Sequence, residues 1–521
     1  MKTIKAILLI ISAGCVFSSC SDNFLERFPE GNLNTGNFFN STEEFEQALN
    51  GAYTPLRTIA NSEYLMDECR SDNARYFYYA KDRGNNATEK MTNYLTQSDD
   101  VITLNRYKAD YVGIARTNTI LDRINTISFT MSDADKDRIV GETKALRAHY
   151  YFDLVRKFGG VPLFLHEVKA PGDAYKARSS VDSVYGQIIA DLKDAVALLQ
   201  NPDFSGDAGR INKGVASAEL GRVYLVQGDY HEAIPYLESV TKMGYKLLPN
   251  FRDVFNPANK GNNEMIWAVQ YLSGTTGQGS EFVYDFTPIV PNTGPILGAD
   301  FSNDQGGWDV PTDDLMDVFE AGDSRYPASV GVFEGELNEG GDFTVTNNSE
   351  KNIVGFTPDP NKEQRYFARK YYYPPYPEQN LGTSQNWPIY RYSGVLLMLA
   401  ECYNESDQDR SPAKALDYLN QVRARAFGNN SHNITTTGQE ALADAIALER
   451  RRELAFENKR YDDLVRTGKA VEVMNAYGTK LKQKFSYLLP ETYEVTEDKL
   501  LYPIPFQEIQ LNNKLTQNPG Y

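Results

Sequence analysis

Apolar residues recur three and four positions apart from Ser41 to Leu56, from Asp110 to Ile127 and from Asp133 to Lys157. That spacing lays them along one stripe of an α-helix. The third run closes at Gly159-Gly160-Val161-Pro162, a glycine stop followed by a proline that cannot continue a helix. A further helix is expected from Ser180 to Leu199. From Lys213 to Tyr245 two helical runs meet at Gly228-Asp229, and Leu220, Gly221, Tyr224 and Ala233 fall at the spacing of a tetratricopeptide repeat. The small Ala218 and Gly221 let the two helices approach, and Tyr224 fills the groove between them. Two more hairpins are expected: Arg391–Asn404 with Pro412–Ala426, whose connection is longer than the repeat allows, and Ala441–Tyr477. Such units cannot bury their apolar faces alone, so they stack.

Between Asn250 and Asn386 this periodicity fades into Gly-rich and Pro-rich stretches such as Gly274–Gly279, Pro288–Pro295 and Tyr371–Pro377. The predicted fold is therefore mainly α. A tetratricopeptide-like scaffold of helical hairpins occupies about 40–250 and 387–521, and an irregular, loop-rich region at about 250–386 carries a few short strands such as Met265–Tyr271. Binding residues sit on loops of this kind more often than on the scaffold under them.

The composition removes several function classes. With 41% hydrophobic residues, 34 Tyr and 26 Phe, the chain is too apolar and aromatic for disorder. Its net charge of −17 has the wrong sign for a surface that neutralises phosphates. Lys2 and Lys5 precede an apolar run from Ala6 to Ile11, far short of the about 20 residues that span a bilayer, so residues 1–19 read as a removable leader. Small residues precede both Cys15 and Cys20, as lipoprotein processing requires. Cys20 fits better because the polar, acidic Ser21-Asp22-Asn23 that follows makes a spacer. A plain secretory leader with incidental cysteines is the alternative. No later stretch is long and apolar enough to span a membrane, so the lipid is the expected attachment. Cys69 and Cys402, the cysteines left in the body, make no disulfide framework and suit small buried hydrophobes.

No catalytic motif is present. The four histidines, His149, His166, His231 and His432, are widely separated, and there is no phosphate-binding glycine loop, nucleophile elbow, zinc pattern or regular calcium loop. No cofactor, metal or catalytic residue is therefore expected. A carboxylate pair assembled in space from the 70 acidic residues leaves an exported glycan-degrading enzyme as an alternative. The aromatic clusters point to binding instead, because sugar rings lay C–H faces on aromatic rings while their hydroxyls pair with planar polar side chains. The densest cluster is Asp72-Asn73-Ala74-Arg75-Tyr76-Phe77-Tyr78-Tyr79, from which Asp72, Asn73, Arg75, Tyr76, Tyr78 and Tyr79 are candidate glycan contacts. Trp308, flanked by Gly306 and Gly307, and Tyr284, beside Asp285, join them. Trp267 and Trp387 read as core.

These residues also resemble the SusD/RagB family of outer-membrane lipoproteins. Cys20-Ser21-Asp22-Asn23-Phe24-Leu25-Glu26 resembles its mature start. Arg147–Val155 with Phe158–Leu163 is similar to its most recognisable helix and turn, and Lys213–Tyr230 and Arg391–Glu401 look like two more of its blocks. Glu449–Leu454, Arg460–Arg466 and Tyr502–Tyr521 complete the order. The resemblance implies one SusD-like unit over 20–521 at the cell surface. It also implies an oligosaccharide ligand, or a peptide in some members, and a SusC-like TonB-dependent transporter as partner. The matching blocks are scaffold, so it transfers no binding site. Within them Arg147, Arg450 and Arg466 are expected in buried ion pairs. The isolated protein is expected to be a monomer, because a lid on a transporter needs a hinge more than a permanent dimer.

Overall fold

The computed structural model describes residues 38–79, 86–204, 209–289, 294–298, 306–340, 342–345 and 350–521. The leader, Cys20 and the residues resembling a mature start lie outside them. Eleven helices carry the architecture: α1 Thr42–Tyr53, α2 Val101–Ile124, α3 Asp133–Phe158, α4 Val181–Leu198, α5 Lys213–Gln227 and α6 Tyr230–Thr241, then α7 Tyr392–Glu405, α8 Pro412–Phe427, α9 Gln439–Glu453, α10 Arg460–Arg466 and α11 Ala470–Lys484. Successive helices pack on one another, α2 on α3, α3 on α4, α5 on α6 and α7 on α8, while α6 packs on α7 and so joins the two runs.

Local sequence explains the boundaries. Side chains of Ser41, Asp100, Ser132, Ser180 and Asn212 accept hydrogen bonds from the first-turn N–H groups of α1 to α5. The Asp100 cap starts α2 nine residues before the expected Asp110. The run expected through Leu56 instead breaks after Tyr53, and Pro55 opens a separate short helix, Pro55–Ala60. Gly228, in the left-handed conformation at φ 80°, closes α5. At Gly221 a Cβ would stand 2.5 Å from Leu237 of α6, which explains why the hairpin needs a glycine there. Tyr224 is buried beside it and stacks on Tyr236 with centroids 5.9 Å apart.

The expected hairpin from Ala441 to Tyr477 is three helices, α9, α10 and α11. Phe456 and Asn458 take left-handed backbone at φ 64° and 57°, and Gly468 at φ 69°, so the chain turns twice. The first turn is fixed by the buried Glu68, whose carboxylate accepts the N–H groups of Phe456 at 2.8 Å and Asn458 at 2.9 Å. A residue near the N-terminus thus shapes the C-terminal repeat.

Among the described residues, seven short strands lie mainly between these helical runs: β1 Ala74–Arg75, β2 Met265–Val269, β3 Val310–Pro311, β4 Val330–Leu337, β5 Phe343–Val345, β6 Glu363–Ala368 and β7 Trp387–Arg391. β1 pairs with β3, β2 with β7, and β4 sits between β5 and β6, all antiparallel. Trp267 and Trp387 are buried in the core, the latter stacked on Tyr371 at 5.3 Å. Cys69 and Cys402 are buried free thiols.

Buried ion pairs cross the helix interfaces. Arg147 holds Asp191 through two contacts of 2.8 Å, Arg450 holds Asp463 at 2.9 and 3.0 Å, and Arg466 bridges Asp463 and Glu401. The charges inside apolar helices are therefore paired across neighbouring elements, as buried charges must be.

Candidate functional site

The site begins at the β1–β3 ladder, where Arg75 lies opposite Val310. Beyond the ladder the two segments stay tied, because the N–H of Phe77 donates to the carbonyl of Gly307 at 2.6 Å. Gly307 donates to Thr287 at 2.7 Å and Trp308 to Asp285 at 2.9 Å, which fastens the loop to the end of the short helix Phe282–Phe286. Gly306, at φ 116°, lies so close to Thr287 that a Cβ would stand 2.6 Å from its carbonyl oxygen. The backbone under Trp308 is therefore held on both sides.

Trp308 is half-buried, its ring tilted 45° against Tyr76 with centroids 5.9 Å apart. Tyr78, also half-buried, lies parallel on Tyr487 at 3.7 Å and 11°. Arg75 lies beneath them. Its guanidinium stands 4.2 Å from the Phe485 ring and 5.3 Å from the Tyr76 ring and donates to the Tyr487 hydroxyl, a cation–π backing that fixes the ring planes. Tyr79, half-buried, donates its hydroxyl to Asp342 at 2.8 Å. Trp308, through Tyr76, and the Tyr78–Tyr487 stack, through Arg75, are the half-buried aromatics tied to this common base and make up the candidate surface, with the Tyr79–Asp342 pair next to Tyr78 in the chain.

Five of the sequence-selected contacts are not on that surface. Asp72 is buried, and Arg460 takes both its carboxylate oxygens while Arg451 adds a third contact at 3.0 Å. Asn73 is buried between Glu68, which accepts from its amide, and Arg451, which donates to its oxygen. Arg75 and Tyr76 are buried supports, the Tyr76 hydroxyl accepting from Asn93 at 2.9 Å. Tyr284 is fully buried and donates to the carbonyl of Pro377 at 3.0 Å. Their polarity serves the fold, because a residue type that suits a sugar hydroxyl also suits a buried backbone or ion-pair partner. Sequence reasoning missed Phe485 and Tyr487. The signal was there: two aromatics two apart, just past a helix end and before Pro490, outside every patterned block.

Burial pushes the Asp285 carboxyl up to about 7, with Glu281 adding to the effect against the hydrogen bond from Tyr64 at 2.9 Å. Asp309, next to Trp308 and fully buried, is pushed up by burial and by Glu68. The histidines do not converge: His149 meets Glu219, His166 Asp122 and His231 Asp409, while His432 stacks on Phe427. Among the described residues no three His, Cys, Asp or Glu side chains are grouped to hold a metal ion. No helix among them is long and apolar enough to cross a membrane.

Stacked helical hairpins under a loop-borne aromatic surface place the protein among helical-repeat scaffolds. The SusD family model matches residues 263–521, and a model described as "Starch-binding associating with outer membrane" matches residues 23–225. SusD-like protein P25 of Formosa agariphila is 26% identical over 98% of this chain and 99% of its own length. A solved structure named laminarin binding SusD-like protein superposes with a TM-score of 0.71 at 28% identity, over 92% of this chain and 100% of that one. Surface glycan-binding protein A from Bacteroides thetaiotaomicron, solved with laminarihexaose, shares the fold at a TM-score of 0.71 and 22% identity, over 91% and 99% of the two chains. This chain belongs to the SusD/RagB family.

Proposed function

We propose that this protein is a non-catalytic, cell-surface lipoprotein that captures oligosaccharides and delivers them to a SusC-like TonB-dependent outer-membrane transporter, with Cys20 carrying the lipid. One observation carries the ligand side of the reading. The Trp308 backbone is clamped through Gly307 and Asp285, and the Tyr78–Tyr487 stack is backed by the Arg75 guanidinium, so both offer aromatic rings in fixed positions. Such rings take the C–H faces of a sugar without reorganising, so little entropy is lost on binding. Half-burial suits a platform that must stay fixed while its outer face is offered to ligand. Relatives with laminarin-binding and glycan-binding in their names support the ligand class, and the family supports the transporter partner and the anchor.

The test is a panel of glycans, including laminarin and starch oligosaccharides, and of peptides, followed by an assay for released reducing ends on whatever binds. Binding to a polysaccharide with no release is expected. Release of reducing ends that disappears on mutating one carboxylate pair makes the protein an enzyme and overturns the reading. Binding to peptides alone overturns the glycan assignment.

A further inference from the structure

A cavity of about 610 Å³ opens between α7, α9, α10 and α11, within the size range of small-molecule sites. It shares no lining residue with the aromatic surface. The chain carries 70 acidic against 53 basic residues, yet here the balance is reversed. Arg450, Arg451, Arg460, Arg466 and Lys469 line the cavity against three carboxylates, those of Glu401, Glu405 and Asp463.

The local pairing leaves one donor over. Arg450 is 7% exposed. Its Nε and Nη2 are used on Asp463, which also serves Arg466. Arg466 turns its remaining donors to Glu401. Nη1 of Arg450 is shielded from solvent and has no hydrogen-bond partner among the described residues. Nearby, Arg451 and Arg460 share the single carboxylate of Asp72, so that carboxylate leaves nothing over for Arg450. A buried cationic donor without an acceptor is costly to keep, and the group that best answers it is an oxyanion in a charge-assisted hydrogen bond. Apolar side chains, those of Ile446, Leu464 and Val473, line the same space.

We propose that this cavity binds a small organic oxyanion, a carboxylate or sulfate carried on an apolar body, the Arg450 guanidinium turning to bring its shielded Nη1 to the head group while Ile446, Leu464 and Val473 take the body. The head group is set by the unpartnered guanidinium N–H, and the body by the aliphatic side chains. Lys469, more exposed and paired with Asp444 at 3.3 Å, adds attraction at the mouth.

Isothermal titration of the full mature chain with hexanoate, hexyl sulfate and the neutral hexanol tests this. Both anions are expected to bind one to one, at least about tenfold more tightly than hexanol. Binding of only one anion still supports the site and distinguishes carboxylate from sulfate. Arg450→Gln is expected to lose this preference. Because Arg450 also pairs with Asp463, a second variant removes the dependence on folding: Ala447→Glu, on an exposed position of α9 at the cavity, sets a carboxylate at the mouth. It should weaken both anions about tenfold or more while leaving the melting temperature unchanged. Equal binding of hexanol, no binding of either anion, or unchanged binding in both variants overturns the proposal.

Discussion

The carboxylate of Asp72 closes a bidentate pair with Arg460, at 2.7 and 3.0 Å, across 388 positions of sequence. Together with Glu68 on the turn at Phe456 and Asn458, it staples the segment before β1 to the C-terminal repeat. Burial works against the Asp72 charge, but Arg460 and Arg451 hold the carboxyl below its ordinary range.

Asp72→Asn should therefore act on stability and not on ligand. Removing one partner of a buried pair leaves two guanidinium groups poorly matched, and a loss of about 3–5 kcal/mol is expected. Urea unfolding of the purified variant measures it. Unchanged stability with lost glycan binding would return Asp72 to the ligand surface.

A different outcome is expected at Tyr487. Stacking on an exposed ring is worth on the order of 1–3 kcal/mol by analogy with base stacking, so Tyr487→Ala should weaken glycan binding about tenfold or more, at ~1.4 kcal/mol per decade. Tyr487→Phe keeps the ring over Tyr78 and loses only the acceptor for Arg75, so it should bind within about threefold of the parent. Equal losses in both variants would mean that the hydroxyl, and not the stack, is what matters.

Stability should also depend on pH in a defined direction. The folded state holds the Asp285 proton up to about pH 7, while an unburied Asp releases it near 3.8. Its contribution is thus fully present below about pH 4 and is lost as the pH rises toward 7. Asp463 works the other way. Burial opposes its charge, but Arg450 and Arg466 hold it down to about 2, so its contribution is present above 3.8 and lost as the pH falls through 2. Asp285→Asn keeps an acceptor for Tyr64, and it should raise the melting temperature at pH 8 and leave it unchanged at pH 4, a difference of up to about 4 kcal/mol. Calorimetry at the two values decides it, and equal effects at both would contradict the burial argument.

The anchor has its own test. If Cys20 carries the acyl chains, Cys20→Ala removes the membrane affinity they supply, and the exported variant should appear in the soluble fraction of cells lacking the transporter partner. Continued membrane attachment there would point to another anchor.

Much of the scaffold was legible in the sequence because helices announce themselves locally. Gly221 and Tyr224 fixed the α5–α6 hairpin through spacing alone, and Gly159 marked the end of α3. The division of α9 to α11 was hidden, since the left-handed turn at Phe456 and Asn458 is imposed by Glu68, far away in the chain. The site was only partly legible for the same reason. The cluster from Asp72 to Tyr79 was found by composition, but one end of it, Asp72 to Tyr76, is buried by partners from Asn93, Arg451 and Arg460. Tyr487 reaches the surface through a contact spanning 409 residues that no local pattern encodes.

The most direct measurement is the affinity of Trp308→Ala for the tightest-binding glycan of the panel, taken beside its melting temperature. Trp308 is clamped through its backbone to Asp285 and is half-buried at its ring, so the substitution removes a stacking face without removing a tie. The binding-platform account predicts an affinity loss of about tenfold or more with the melting temperature held. Normal binding, or binding lost only because the variant unfolds, would show that Trp308 is packing and that the ligand lies elsewhere.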